Sequence, residues 1–147
     1  MFLPTFARIL RRLLGLVAGI AAGAFVNMWL LGAVASLVPP PDGVDPNDLE
    51  SIRAHIGSYE PIQFVAPFVA HAGGTVVGAF LATLLGGYRN SLGGLVVGVV
   101  FLAGGIGMVL LLPETPEWFK VVDLTAAYLP MGWLGWRIER AIRAPRT

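Results

Sequence analysis

Four stretches of the chain are nearly free of polar residues, and their lengths set the first expectation. Crossing the hydrocarbon core of a bilayer as a helix takes about 20 mostly apolar residues. The first stretch, 13–38, carries no charge. The second, 62–87, is uncharged apart from the imidazole of His71, and the third covers 92–112. The fourth is weaker, because the run from Val121 to Trp136 contains both Asp123 and Pro130. It reaches spanning length if the helix starts earlier, with Thr115 as N-cap, Pro116 as first helical residue and Glu117 set against the helix dipole. That predicts a fourth span over 116–137, inside a helix continuing to Ile142. The runs are continuous rather than alternating, which favours helices over a barrel. The expected fold is an all-α membrane protein, a four-helix transmembrane bundle forming a single domain over 1–147.

The links between the runs carry their own signals. The sizeable loop, 39–61, opens on Pro39-Pro40-Pro41, a stiff extended exit from the first span. Asp45 as N-cap, Pro46 at the first helical position and Asp48 in the first turn then predict a helix start. Leu49, Ile52 and Ile56 follow at helical spacing, so a short extracytoplasmic amphipathic helix of about three turns is expected between spans 1 and 2, ending at Gly57. Its apolar edge should rest on the membrane surface or on the mouth of the bundle. The link Tyr88–Ser91 is a tight turn, which makes the second and third spans antiparallel neighbours.

Composition agrees with the pattern. Of 147 residues, 56% are hydrophobic and 13% charged, against about 25% charged in ordinary soluble domains. A water-soluble fold lacks the polar coat it would need, and a disordered chain would hold fewer apolar residues. Ala33-Val34-Ala35 has the small-x-small form of a signal-peptide cleavage site. The uncharged run before it is longer than the roughly 7–15 residues of a signal core, so it is read as a retained span.

Sorting the charges fixes an orientation. Arg8, Arg11, Arg12, Arg89, Arg137, Arg140, Arg143 and Arg146 fall on one side of the four spans, and only Arg53 and Lys120 on the other. Every acidic residue except Glu139 lies on that other side or at its edge. By the positive-inside rule both termini are cytoplasmic. A net charge of +1 thus conceals a basic inner face and an acidic outer one. Tyr88, Trp133 and Trp136 fit the inner interface, and Tyr59, Trp118 and Phe119 the outer one. Trp29 falls inside a span.

Helices in lipid associate through close contact of small residues. Gly15, Gly19 and Gly23 form such a ridge on the first span. Gly74 and Gly78, continued by Ala82 and Gly86, form one on the second, and Gly94 and Gly98 one on the third. Intramolecular packing is expected, with one ridge available for a homo-oligomer or a larger membrane complex.

An ionisable residue at membrane depth is a functional candidate by default. His71 lies near the middle of the second span and Asn27 at nearly the same depth on the first, so a hydrogen bond between them is expected, with Thr75 or Asp123 beside it. Pro67 frees a carbonyl one turn before His71 and should bend its helix, as Pro130 should bend the fourth. Asn27, His71, Thr75 and Asp123 are therefore the candidate intramembrane site, either an interhelical clamp or a proton- or solute-binding site. With no Cys and two His, the chain lacks a thiol nucleophile and any zinc-ligand spacing. It also lacks phosphate-loop, dinucleotide and nucleophile-elbow motifs. No catalytic residue, metal, cofactor or nucleic-acid partner is expected.

Three motifs carry a resemblance over nearly the whole chain: Pro39-Pro40-Pro41-x-Gly43-x-Asp45, His71-x-x-Gly74-x-x-x-Gly78-Ala79, and Leu112-Pro113-x-x-Pro116-x-Trp118-Phe119 leading to Leu129-Pro130. Together they resemble a family of small four-span bacterial integral membrane proteins, itself uncharacterised. The resemblance implies a multi-pass protein of the bacterial inner (plasma) membrane and no activity. The function expected from the sequence is a non-enzymatic accessory or structural component of a membrane assembly. The alternative is a small transporter or channel component with its site near Asn27, His71 and Asp123.

Overall fold

A computed structural model describes residues 3–46 and 48–144; Arg146, counted above among the inner-face arginines, lies outside the described residues. Every regular element among the described residues is helical: α1 (Leu3–Ala35), α2 (Leu49–His55), α3 (Val65–Gly86), α4 (Leu92–Leu111), α5 (Glu117–Ala126) and α6 (Leu129–Arg143). Single 3-10 turns at Ile56–Ser58 and Pro61–Phe64 lead into α3. Three helices are long and apolar enough to cross a membrane, Thr5–Ala35, Pro61–Gly86 and Leu92–Leu111.

The polarity of the packing matches a lipid environment. Every buried residue of α3 is small: Ala66, Ala70, Gly74, Thr75, Gly78, Ala79, Ala82, Thr83 and Gly86. The large apolar side chains instead face outward, among them Phe25, Met28, Trp29, Val99 and Leu110, each more than half exposed. A soluble protein of this size does not present so continuous an apolar surface. In lipid, where burying Leu gains nothing over leaving it exposed, small residues inside and large ones outside is the arrangement that brings backbones together.

α3 is the central helix, touching α1, α4, α5 and α6. Its seam with α1 is antiparallel and made of the two small-residue ridges facing each other. Gly15 lies on Gly86, Gly19 on Gly78 and Ala82, and Gly23 on Gly74 and Gly78. The α4 ridge faces α6, with Gly94 on Gly132, and Gly98 on the backbone of Tyr128 and Leu129. All three ridges are thus engaged within one chain.

The structure departs from the sequence reading at several helix ends. α1 begins ten residues before the uncharged run, so Arg8, Arg11 and Arg12 sit on the helix itself, and it ends at Ala35. The chain then turns through 36–38 ahead of Pro39, which disfavours helical geometry in the residue before it. The N-cap of α2 is Asp48, whose carboxylate accepts from the Glu50 N–H at 3.1 Å, and not Asp45. Asp45 and Pro46 form the preceding turn, closed by Asp48 N–H on the Asp45 carbonyl. Thr115 does not cap α5; that position is held by Pro116. Pro67 occupies the first turn of α3, where a missing N–H removes no intrahelical bond and requires no bend.

The largest departure is in the fourth stretch, which is two helices rather than one. α5 stops at Ala126 and α6 starts at Leu129, with Tyr128 at φ −119°, ψ −77° between them. Pro130 is the cause. In a continuous helix its ring would collide with the Ala126 carbonyl, for which it also has no N–H. One turn earlier the chain breaks instead, and Pro130 becomes a favourable early residue of α6.

Candidate functional site

The break between α5 and α6 brings three polar side chains together inside an apolar setting. His71 projects from the second turn of α3 and Asp123 from α5. Nδ1 of His71 lies 2.9 and 3.0 Å from the two carboxylate oxygens of Asp123. Tyr128, at the break itself, places its hydroxyl 2.9 Å from Nδ1 and donates to Oδ2 of Asp123 at 2.9 Å. Asp123 is 4% and Tyr128 2% exposed. The tyrosine hydroxyl fits there because α4 carries glycine at 105, where a Cβ would collide with it.

An ionised Asp123 can only accept; with it, a neutral His71 would carry its proton on Nδ1, shared between the carboxylate and the tyrosine oxygen. That selects the tautomer in which Nε2 is the free acceptor. Orientation of an imidazole by a carboxylate on one nitrogen, leaving the other for chemistry, is a general device. Nε2 has no hydrogen-bond partner among the described residues.

His71 and Asp123 form part of the lining of a cavity of about 210 Å³ at the end of the bundle that carries the loop between α1 and α3. Its walls are apolar, with Leu31 and Ala35 from α1, Ala66 and Pro67 from α3, and Met108 and Val109 from α4. The loop between α1 and α3 lies over it. Ile56 and Phe64 from that loop pack with Phe119 of α5 into a buried apolar cluster, flanked by Ile52, Tyr59 and Phe68. The Phe64 and Phe119 rings are 4.7 Å apart. The Gln63 side chain donates to the Pro39 carbonyl at 2.9 Å, tying the two ends of the loop together. α2 therefore rests its Ile52 edge on the mouth of the bundle. Burial pushes the Tyr59 phenol above its ordinary range, keeping this part of the rim neutral. The Lys120 ammonium on the wall is held by the Pro113 carbonyl at 2.8 Å and Glu117 at 2.6 Å.

Of the four site residues named from the sequence, the structure joins two. Asn27 does not reach His71; it packs against Gly74 in the α1–α3 seam and makes no side-chain hydrogen bond among the described residues. Thr75 is fully buried, but its hydroxyl donates to the His71 carbonyl of its own helix at 2.7 Å. It braces the turn carrying His71 without touching the ring. Tyr128 was missed. The available signal was a tyrosine two residues before an in-span proline and five after Asp123.

A second buried polar feature lies at the opposite end of the bundle. Glu139, the lone acidic residue on the arginine-rich side, is 2% exposed and paired with the Arg143 guanidinium one turn on. Its Oε2 and the indole N–H of Trp136 have no partner. Arg143 also donates to the Leu84 carbonyl at 2.9 Å, and Arg11 of α1 to the Leu85 carbonyl at 2.9 Å. The last carbonyls of α3 are thus capped by arginines from two other helices, the favourable sign at a helix C-terminus. No group of three or more metal-ligating side chains occurs among the described residues.

No protein-family model, curated protein or solved structure matches this chain. The site is therefore read from its own geometry.

Proposed function

We propose that the chain is a multi-pass membrane protein that binds a small, largely apolar molecule in the outer cavity, as a transport or channel component rather than an enzyme. In this reading α1, α3 and α4 each cross the membrane and α5 with α6 makes the fourth crossing. The loop carrying α2 is extracytoplasmic, and both termini are cytoplasmic. The observation that carries the reading is the His71–Asp123–Tyr128 cluster at a helix break that borders a cavity. Irregular backbone at membrane depth is tolerated where it is buried in protein or lines such a space, and broken helices supply binding sites in transporters. The apolar lining with a few convergent polar groups has the make-up of a ligand site.

The absence of native cysteine makes the test direct. Single substitutions Asp42→Cys and Glu114→Cys are expected to react with a membrane-impermeant maleimide on intact cells. Arg89→Cys and Ala144→Cys should react only after permeabilisation. If Ala144→Cys reacts from outside, α5 and α6 do not make a fourth crossing. Val109→Cys, on the cavity wall, is expected to react with a small neutral thiosulfonate at least about tenfold faster than its lipid-facing neighbour Leu110→Cys. Equal inertness would show a sealed cavity. The cluster would then be a structural clamp, and the chain an accessory component of a membrane assembly.

A further inference from the structure

We propose that the arginine-rich end of the α1–α3 seam is a binding site for one anionic phospholipid, with its phosphodiester on Arg11 and an acyl chain in the adjoining groove. The site is separate from the outer cavity. Arg11 is held in place before any ligand arrives, because its Nε donates to the Leu85 carbonyl at 2.9 Å. The guanidinium also lies against Gly87, the residue that ends α3 at φ +68°. A Cβ at that position would come within 2.9 Å of the guanidinium carbon; the left-handed backbone is what favours glycine there, and the arginine tip occupies the space its missing side chain leaves. With Nε engaged, the two Nη groups have no hydrogen-bond partner among the described residues. They form the planar fork that matches two oxygens of a phosphodiester.

The guanidinium lies in the wall of an open groove of about 410 Å³, lined also by Ala7, Leu10, Leu14, Gly15, Ala18 and Leu85. The part from Arg11 to Ala18 extends about 10 Å along the helix, and no other charged or polar side chain lines the groove. Charge complementarity selects the occupant. Arg8, Arg12 and Arg89 belong to the same end of the molecule, with Arg12 stacked over the Tyr88 ring at 5.3 Å. Among the described residues, Glu139 is the acidic side chain at this end, and one of its oxygens is paired with Arg143. A fixed guanidinium in the wall of an apolar groove, in a basic neighbourhood, fits a ligand with one anionic group and a long apolar tail. A membrane leaflet supplies that ligand as an anionic phospholipid.

The test is native mass spectrometry of the full chain from mixed micelles containing equimolar dioleoyl phosphatidylglycerol and dioleoyl phosphatidylcholine. The wild type is expected to retain one phosphatidylglycerol, at least about fivefold over phosphatidylcholine, the factor expected from one arginine near a surface. Arg11→Gln is expected to remove that preference, and Ala18→Leu, which fills the groove and leaves the charge, to remove the bound lipid. Arg140→Gln, which lies outside the groove, should retain it. Equal retention of both lipids by the wild type overturns the proposal, as does wild-type phosphatidylglycerol occupancy in either groove variant. Ala18 is on an exposed helix face, so that variant remains informative if Arg11→Gln fails to fold. The inference rests on the membrane reading, which cysteine labelling tests by itself. A four-crossing protein without lipid preference overturns only the lipid site.

Discussion

Gly19→Leu is expected to detach α1 from α3 and to lower stability by about 3 kcal/mol, at the upper end of what overpacking costs. The added Cβ would meet the Gly78 carbonyl at 2.5 Å and the Ala82 side chain at 2.6 Å, and backbone on a neighbouring helix cannot move aside as a side-chain tip can. Gly104→Leu provides the contrast, since nothing lies within 4 Å of its Cβ position; it is expected to be neutral or slightly stabilising through helix propensity. Unfolding by titration with a denaturing detergent, followed by circular dichroism, measures both. Similar losses in the two variants would mean that the α1–α3 seam is not the tight contact described here.

Asp123→Ala is expected to cost about 3 kcal/mol, the upper end for leaving a buried donor without its acceptor, because both His71 and Tyr128 lose the carboxylate they bond, and to release the His71 ring. A double-mutant cycle isolates the interaction. His71→Ala and Asp123→Ala should show a coupling of about 1–3 kcal/mol, whereas Asn27→Ala and His71→Ala should add to within about 0.5 kcal/mol. Tyr128→Phe removes the hydroxyl's two hydrogen bonds, to His71 and to Asp123, and should cost about 1–2 kcal/mol. The tautomer gives an independent readout, because the chain has only two histidines and His55 is an exposed internal reference. In ¹⁵N-histidine spectra, neutral His71 is expected as the Nδ1–H form, changing in Asp123→Asn. A His71 spectrum that Asp123→Asn leaves unaltered would remove the carboxylate from its orientation.

The sequence conveyed extent better than direction. The apolar runs marked three of the long helices because run length and helix length are set by the same requirement. His71 and Asp123 stood out because ionisable groups are rare in such runs. Their relation to Asn27 was misread because depth along a helix does not fix register. The glycine seam sets Asn27 opposite Gly74, three residues and about 4.5 Å along the axis from His71, and Leu31 rather than Asn27 joins His71 in the cavity lining. Tyr128 was hidden for a different reason. On a continuous helix it would stand about 140° around from Asp123, and only the break ahead of Pro130 swings it back. Glu139 was visible as a charge of the wrong sign for its side of the chain, but nothing in its spacing revealed that α6 would bury it.

The seam of α1 with α3 also predicts how the chain tolerates change. Its contacts are backbone on backbone, so at Gly15, Gly19, Gly23, Gly74 and Gly78 the protein recognises an absence of volume rather than any side-chain chemistry. Phe25, Met28, Trp29 and Leu110 are exposed, and in the proposed membrane setting their neighbour is hydrocarbon, which has no shape to match. A saturation screen of this chain should therefore give a mutability map opposite to that of a water-soluble bundle. Large apolar residues on the outside should interchange freely, while the interior rejects even a single methyl group and the outer face rejects only charge.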